Sequence, residues 1–364
     1  MASIPFRSRR CVPFFVLIIA ICLISHLTFT NIQNGTATGR FIISRHSSRR
    51  HLNISIAVVL GNLSDADEYE TALNSIKCYS KIHDYTFHLV QDADYRDLCM
   101  QKEFMFRRHC IATHLLEETD WLLFLDADVA VVNPNVLLEE YIDPAYDLTF
   151  YDRFVNWEVA AGSYIVKNTS WAKRFLLNFA NFESQLPNSF HGTDNGAIHM
   201  FLQQTFYPQL SQDARLCRRI WEKAANFRGL FTFEACIRAV MGDVREFDRA
   251  RILRKGTGWV RDIWLADSKW SPERDFMIHG LKDANKVNIL RGFIVNTIYG
   301  DFNWRSPFAK QFNLTECISP NSTQWVMNKH LIASKGEIDQ YLKQQFDIVE
   351  KRRWKSLAAV ADYI

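Results

Sequence analysis

The chain has 364 residues, 48% hydrophobic and 13% aromatic, enough to bury a large core as one big domain or two small ones. Its net charge of +3 conceals a split: residues 1–50 hold seven arginines and no lysine or acid, so the remaining 314 residues sum to −4. A mildly acidic folded part gives no support to a nucleic-acid partner.

The basic end has a specific form. After a short tail, residues 1–10, that ends in RSRR, the stretch 11–29 (CVPFFVLIIAICLISHLTF) carries no charge. A basic flank followed by an apolar run predicts a single-pass membrane anchor with the arginines on the cytosolic side. A cleaved signal peptide is the rival, because the strictly apolar core, 11–24, is short for a spanning helix; against it, no small-x-small cleavage site follows. Either segment sends the rest of the chain into a lumen, and the expectation is a type II protein of the Golgi or endoplasmic reticulum membrane. Residues 30–52 read as a polar stem. Six Asn-x-Ser/Thr sequons, at Asn34, Asn53, Asn62, Asn168, Asn313 and Asn321, fit a lumenal location. Beyond the leader lie six cysteines, Cys78, Cys99, Cys110, Cys217, Cys236 and Cys317, an even number that an oxidising lumen can pair in several ways.

ISIAVVL (54–60) is a continuous β-branched run, the pattern of a strand buried on both faces. A helix over 69–82, a strand at 85–90, a helix over 103–118 and a strand at 121–125 (WLLFL) follow with short links. That alternation predicts right-handed crossovers and a mostly parallel α/β sheet flanked by helices. Further strands are expected at 147–151, 162–167 and 275–279. Helices are expected over 169–183, capped by Thr169 or Ser170, over 193–204 and over 336–353. Residues 206–270, rich in arginine and aromatics, show no regular pattern. The organisation expected is one domain over 53–335 with a C-terminal helical segment, 336–364, packed on it or extending it.

The tripeptide Asp-Ala-Asp occurs three times, at 65–67, 92–94 and 126–128. In an open parallel sheet ligands bind beyond the carboxyl ends of the strands, and each copy follows a strand. Asp65 sits beside Ser64 and reads as a helix cap. Asp92 lies two residues past its strand, placed to accept from the imide of a uracil or to serve a plain turn. Asp126 abuts its strand directly, and apolar chain resumes at Val129, so this third copy is held at both ends. Two carboxylates on a rigid turn offer hard ligands for Mn²⁺ or Mg²⁺. Such a site keeps positions open for phosphate oxygens, whose charge needs neutralising as a diphosphate departs. His279 ends an apolar strand beside a glycine and is a candidate third ligand. Arg108 falls on the buried stripe Phe104, Arg108, Ile111, Leu115 and needs an anion there: a phosphate, a site aspartate or a structural ion partner. Trp157, Trp259 and Trp264 can stack on sugars or fill the core.

Strand, helix, strand and then FLDADVAVVNP resembles a glycosyltransferase of the GT-A type, whose aspartate pair binds a nucleotide sugar through a metal. GSYIVKNTSW (162–171), DNGAIHMFL (194–202) and DFMIHGLK (275–282) resemble, in order, blocks of the retaining α-galactosyl-, α-mannosyl- and α-xylosyltransferase family of fungi and plants. The whole of 54–290 is similar to a nematode domain-of-unknown-function family linked to those enzymes. The resemblance implies a GT-A fold and transfer, with retention, of a hexose or pentose from a nucleotide diphosphate sugar to a glycan, glycoprotein or glycolipid acceptor. A UDP-sugar is the donor it favours. It places Asp126, Asp128 and His279 on the metal and Lys282 on the diphosphate. It makes Asp194 and Asn195, where the family has an aspartate-glutamine pair, the catalytic pair, with Glu158 as the reserve carboxylate. This chain departs from the family at Ala160, where an asparagine is usual, and in the adjacency of His279 and Gly280. The alternative reading is an inactive nucleotide-sugar- or glycan-binding module on the same fold. No Gly-x-Ser-x-Gly, His-Glu-x-x-His or phosphate-loop motif supports a hydrolase or kinase, and the sequence gives no oligomeric state.

Overall fold

The run Ile54–Leu60 forms strand β1, buried along its whole length, and Trp121–Leu125 forms an equally buried β3. β1 pairs in parallel with β2 (Thr86–Gln91) on one side and with β3 on the other. Successive strand residues point to opposite faces, so Ala57, Val59, Leu122 and Phe124 join one core while Ile56, Val58, Leu123 and Leu125 join another. Helix α1 (Glu70–His83) covers the second face through Leu73, Ile76 and Tyr79. Helices α2 (Phe104–Leu115), α3 (Ser170–Asn181) and α4 (Thr193–Phe206) cover the first through Phe106, Ile111, Phe179, Ile198 and Phe201. Each such side chain contributes roughly 1.5–3 kcal/mol on full burial, which is why the layers form where the apolar runs lie. This computed structural model describes residues 52–283, 305–318 and 325–363. The expected tail, the expected anchor at 11–29 and sequons Asn34 and Asn321 lie outside the described residues. Among the described residues no helix is long and apolar enough to cross a membrane.

The large sheet has seven strands in the order β2-β1-β3-β6-β5-β8-β7, with β5 at Leu148–Tyr151, β6 at Tyr164–Lys167, β7 at Glu246–Phe247 and β8 at Ala250–Leu253. It is mixed, not mostly parallel. β6 runs antiparallel to both β3 and β5, and β7 antiparallel to β8, while β5 and β8 are parallel. The cause is local: β5 and β6 are neighbours joined by a loop, and without a crossover helix the chain must reverse.

The segment 206–270, expected to be irregular, holds helices α5 (Ser211–Glu222) and α6 (Phe227–Met241) as well as β7, β8 and β9 (Val260–Asp262). Arginines surround a narrow apolar stripe in α5, made of Ala214, Cys217, Ile220 and Trp221. Asn226 caps α6 by accepting from the amides of Arg228 and Gly229. Among the described residues all six cysteines are paired, as Cys78–Cys317, Cys99–Cys110 and Cys217–Cys236. Thr169 caps α3 as expected. The cap near the first Asp-Ala-Asp is Asn62, which accepts from Ser64, and not Asp65.

Helix α7 (Lys335–Ala358) closes the chain. It lays Ile338 and Leu342 against Phe154, Val155 and Leu265, and Val349 against Trp157 and Ala235. It therefore belongs to the same compact unit, His51–Ile364, as the sheet.

Candidate functional site

The chain leaves the large sheet at Leu125 and enters a second, three-stranded sheet at β4 (Val129–Val131), whose order is β4, β10 (Met277–His279), β9. Residues 126–128 are the junction between the sheets, anchored by buried chain on both sides. β10 runs antiparallel to β4 and parallel to β9, a register that sets His279 opposite Val129 and beside Asp262. His279 Nε2 lies 3.3 Å from Asp128 Oδ1, and Nδ1 lies 2.8 Å from Asp262 Oδ1. The amides of Gly280 and Leu281 donate to the Asp128 carbonyl at 3.0 and 2.9 Å. Gly280 has a φ of +98°, and a Cβ there would lie 2.4 Å from the Trp264 ring, so this turn needs glycine directly after His279. Lys282 Nζ lies 3.7 Å from the other Asp128 carboxylate oxygen.

Charge holds this cluster together. Burial opposes the Asp128 carboxylate, but His279 and Lys282 outweigh it and keep the group below the usual carboxylate range. Burial likewise opposes a charged His279, and the two flanking aspartates outweigh it, pushing the imidazole up to about 10. Asp262 is held at about 2: burial would raise it, and Arg153 and His279 bring it down. The guanidinium of Arg153 spans Asp262 at 2.9 Å and Glu158 at 3.2 Å.

Asp126 is positioned from behind. Arg108, buried in α2, donates to Asp126 Oδ1 at 2.5 Å and to Asp194 Oδ2 at 2.5 Å. Burial opposes the Arg108 charge, and the two carboxylates more than offset it, so its pKa rises. From the front, Gly162 leaves the Asp126 carboxylate its place: a Cβ there would stand 2.1 Å from Oδ2.

Asp194 is not at the cleft surface. It is fully buried, with Oδ2 also facing His109 Nε2 at 3.2 Å and Oδ1 accepting from the Thr193 hydroxyl at 3.2 Å and the Asn195 amide at 2.9 Å. Burial opposes its charge, yet Arg108 and His109 hold it below the usual range. Both oxygens of this carboxylate, the expected catalytic one, are thus engaged by Arg108, His109, Thr193 and Asn195. Asn195 does reach the cleft, with its Oδ1 accepting from the Ala161 amide at 3.3 Å. Glu158 is buried on Arg153 and does not line the cleft. Asp92, for which the sequence leaves a uracil contact and a plain turn role both open, is 3% exposed and held by Arg107, whose Nη1 lies 2.7 and 2.5 Å from its two oxygens, and by Arg96. Trp157 and Trp259 are core residues, donating to the Phe231 carbonyl and to Ser163 Oγ. Trp264 packs its ring 5.7 Å from that of His279.

The cleft that remains is small, about 90 Å³, and is walled by Asp126, Tyr151, Arg153, Gly162, Asn195, Asp262 and His279, among others. Asp262, Arg153 and Gly162 were not expected there. Asp262 and Arg153 come from short or irregular segments without periodicity, and Gly162 is legible only once Asp126 faces it. Two carboxylates and an imidazole suit Mn²⁺ or Mg²⁺. The bond from Nδ1 to Asp262 directs the other imidazole nitrogen to the Asp128 side, the arrangement in which a histidine serves as a metal ligand. These residue types suit a divalent cation, but the ligand atoms of Asp126, Asp128 and His279 do not all lie within 4.8 Å of one another, and Asp126 is drawn toward Arg108.

Residues 76–295 match the family described as "Protein of unknown function, DUF273". No curated protein matches the chain. Among solved structures the chain is similar to a glycosyltransferase involved in the glycosylation of the major capsid of PBCV-1, with 16% identity, a TM-score of 0.39, and coverage of 62% of this chain and 91% of that one. It is also similar to A197 from STIV, with 16% identity, a TM-score of 0.22, and coverage of 34% and 67%. Neither overlap is close enough to carry an inference about activity.

Proposed function

The chain belongs to the DUF273 family, whose description assigns no activity, and from its cleft we propose a metal-dependent glycosyltransferase that uses a nucleotide diphosphate sugar. The observation that carries this reading is the pairing of His279 with Asp128, on the sheet junction that also bears Asp126, with His279 oriented by Asp262. In this reading Asp126, Asp128 and His279 hold Mn²⁺ or Mg²⁺, which supplies neutralisation of the diphosphate charge. Lys282, beside Asp128, adds a cation for the same phosphates. Arg108 and Asp194 fix the Asp126 carboxylate, and Arg153 keeps Asp262 ionised beneath His279. Asn195 presents an amide to the sugars.

Transfer breaks the bond between the anomeric carbon and the diphosphate oxygen and forms one to the acceptor hydroxyl. A covalent intermediate needs a carboxylate within about 3–3.5 Å of that carbon. With Asp194 and Glu158 both buried away from the cleft, the front-side route is favoured, in which the departing diphosphate takes the acceptor's proton and the α configuration is kept. A UDP-sugar donor, a glycan acceptor, an anchor at 11–29 and a Golgi or endoplasmic reticulum lumen complete the proposal. Three disulfides support an oxidising compartment. The test is purified protein with Mn²⁺ and a panel of nucleotide sugars, followed for released nucleoside diphosphate and for bound nucleotide. Release supports transfer, binding without release supports the inactive module, and neither removes both.

A further inference from the structure

Beyond the loop 152–158 lies a second cavity, about 410 Å³, enclosed by α6, the turns around β7 and β8, and α7. Its wall carries five cationic side chains and three carboxylates. The carboxylates are fully used. Asp152 accepts from Arg238 at 3.2 Å and from Arg245. Asp243 is shared by Arg245 at 2.8 Å and Arg254 at 3.0 Å, and Glu350 lies 3.5 Å from Arg353. Lys255 has no carboxylate partner among the described contacts; it donates to the carbonyls of Arg153 and Asn156. Two positive charges are thus left over in a space that is partly open, with Arg254 and Asp243 on its exposed side.

Two further observations point the same way. The Nε of Arg353 is buried without a hydrogen-bond partner among the described residues. Burial and the neighbouring guanidiniums press against the charges already there, lowering Arg238 and bringing Lys255 down to about 8, with Asp152 only partly compensating. Guanidinium groups bind phosphate and sulfate through paired N–H donors, and an excess of them gathered around the buried Arg238 is stabilised by such a ligand. We propose that this cavity is a binding site for a multiply charged oxyanion, a phosphate or sulfate group, either free or carried on a sugar. The site is separate from the cleft and does not depend on what the cleft does, although loop 152–158 is a wall of both, through Asp152 and Trp157 on one side and Arg153 and Phe154 on the other.

The experiment is calorimetric titration of the full chain, stripped of metal with EDTA and then dialysed into EDTA-free buffer, with inorganic phosphate, sulfate and glucose 6-phosphate at low ionic strength. One saturable site for phosphate or sulfate is expected. The pair Arg254→Gln and Arg353→Gln together, both on partly exposed side chains, should weaken it about tenfold or more. Phe346→Glu, which adds a carboxylate at an exposed point of the cavity wall, should weaken it similarly and provides an independent variant. Tighter binding of glucose 6-phosphate than of phosphate assigns a sugar-borne group, and equal or weaker binding assigns the free ion. No saturable binding by the parent protein, or unchanged affinity in both folded variants, overturns the site.

Discussion

The Nδ1 of His279 donates to Asp262 Oδ1 at 2.8 Å. That bond fixes the ring, because Asp262 is itself pinned by Arg153 at 2.9 Å, and it leaves Nε2 turned toward Asp128. Outer partners of this kind set the orientation and basicity of a metal-binding imidazole. Asp262→Asn should therefore weaken Mn²⁺ binding by about 10–100-fold while the protein stays folded. Direct titration of Mn²⁺ into parent and variant checks it, and equal affinities would make Asp262 a structural partner only.

In the metal-free protein His279 carries a proton, with its pKa pushed up to about 10. A cation at Nε2 must displace that proton, so uptake releases it and affinity rises with pH below about 10. Titrations at pH 7 in buffers of different ionisation enthalpy should show proton release. Identical heats in all buffers would take His279 out of the ligand set.

Gly162→Ala tests the cleft wall. Gly162 has no positive φ, so alanine imposes no backbone strain, but its Cβ would stand 2.1 Å from Asp126 Oδ2. The carboxylate must swing away, and metal-dependent nucleotide binding should fall while secondary structure is kept. Circular dichroism with a nucleotide titration checks both halves; undiminished binding would remove Asp126 from the site.

Arg108 neutralises two carboxylates, Asp126 and the fully buried Asp194. Arg108→Met leaves a buried charge unpaired and should cost about 3–5 kcal/mol of stability. Arg108→Ala should cost somewhat more, because Met keeps the stem's packing. Adding Asp194→Asn to Arg108→Met should recover part of the loss. The Asp194 pKa lies below its ordinary value of 3.8 in the folded state. Its contribution is therefore present above that value and fades as pH falls below it, and the gap between parent and Arg108→Met should narrow in acid. Urea unfolding at neutral and acidic pH measures both.

Much of the fold was legible where the signal is periodic. The continuous run at 54–60 and the block WLLFL became two adjacent, fully buried strands, and the stripe through Arg108 correctly demanded an anion. The sheet's direction was not legible, since antiparallel β6 depends on a loop whose return path leaves no pattern. Nor were α5 and β9, the first masked by arginines and the second only three residues long. In the site, the sequence placed Asp126, Asp128, His279 and Lys282 near one another. It missed Asp262, because a residue that acts through another shows itself only in the register between strands. The burial of Asp194 was not legible either, because the resemblance that named it carries no information on which side chain faces inward.

The central claim is that the third Asp-Ala-Asp, with His279, holds a cation that in turn binds a nucleoside diphosphate. Calorimetric titration of UDP, with and without Mn²⁺, into the parent protein, Asp128→Asn and Asp67→Asn tests it most directly. The account predicts Mn²⁺-dependent binding by the parent and by Asp67→Asn, and none by a folded Asp128→Asn. Loss of binding in Asp67→Asn with Asp128→Asn unaffected, or binding indifferent to Mn²⁺ throughout, would contradict it.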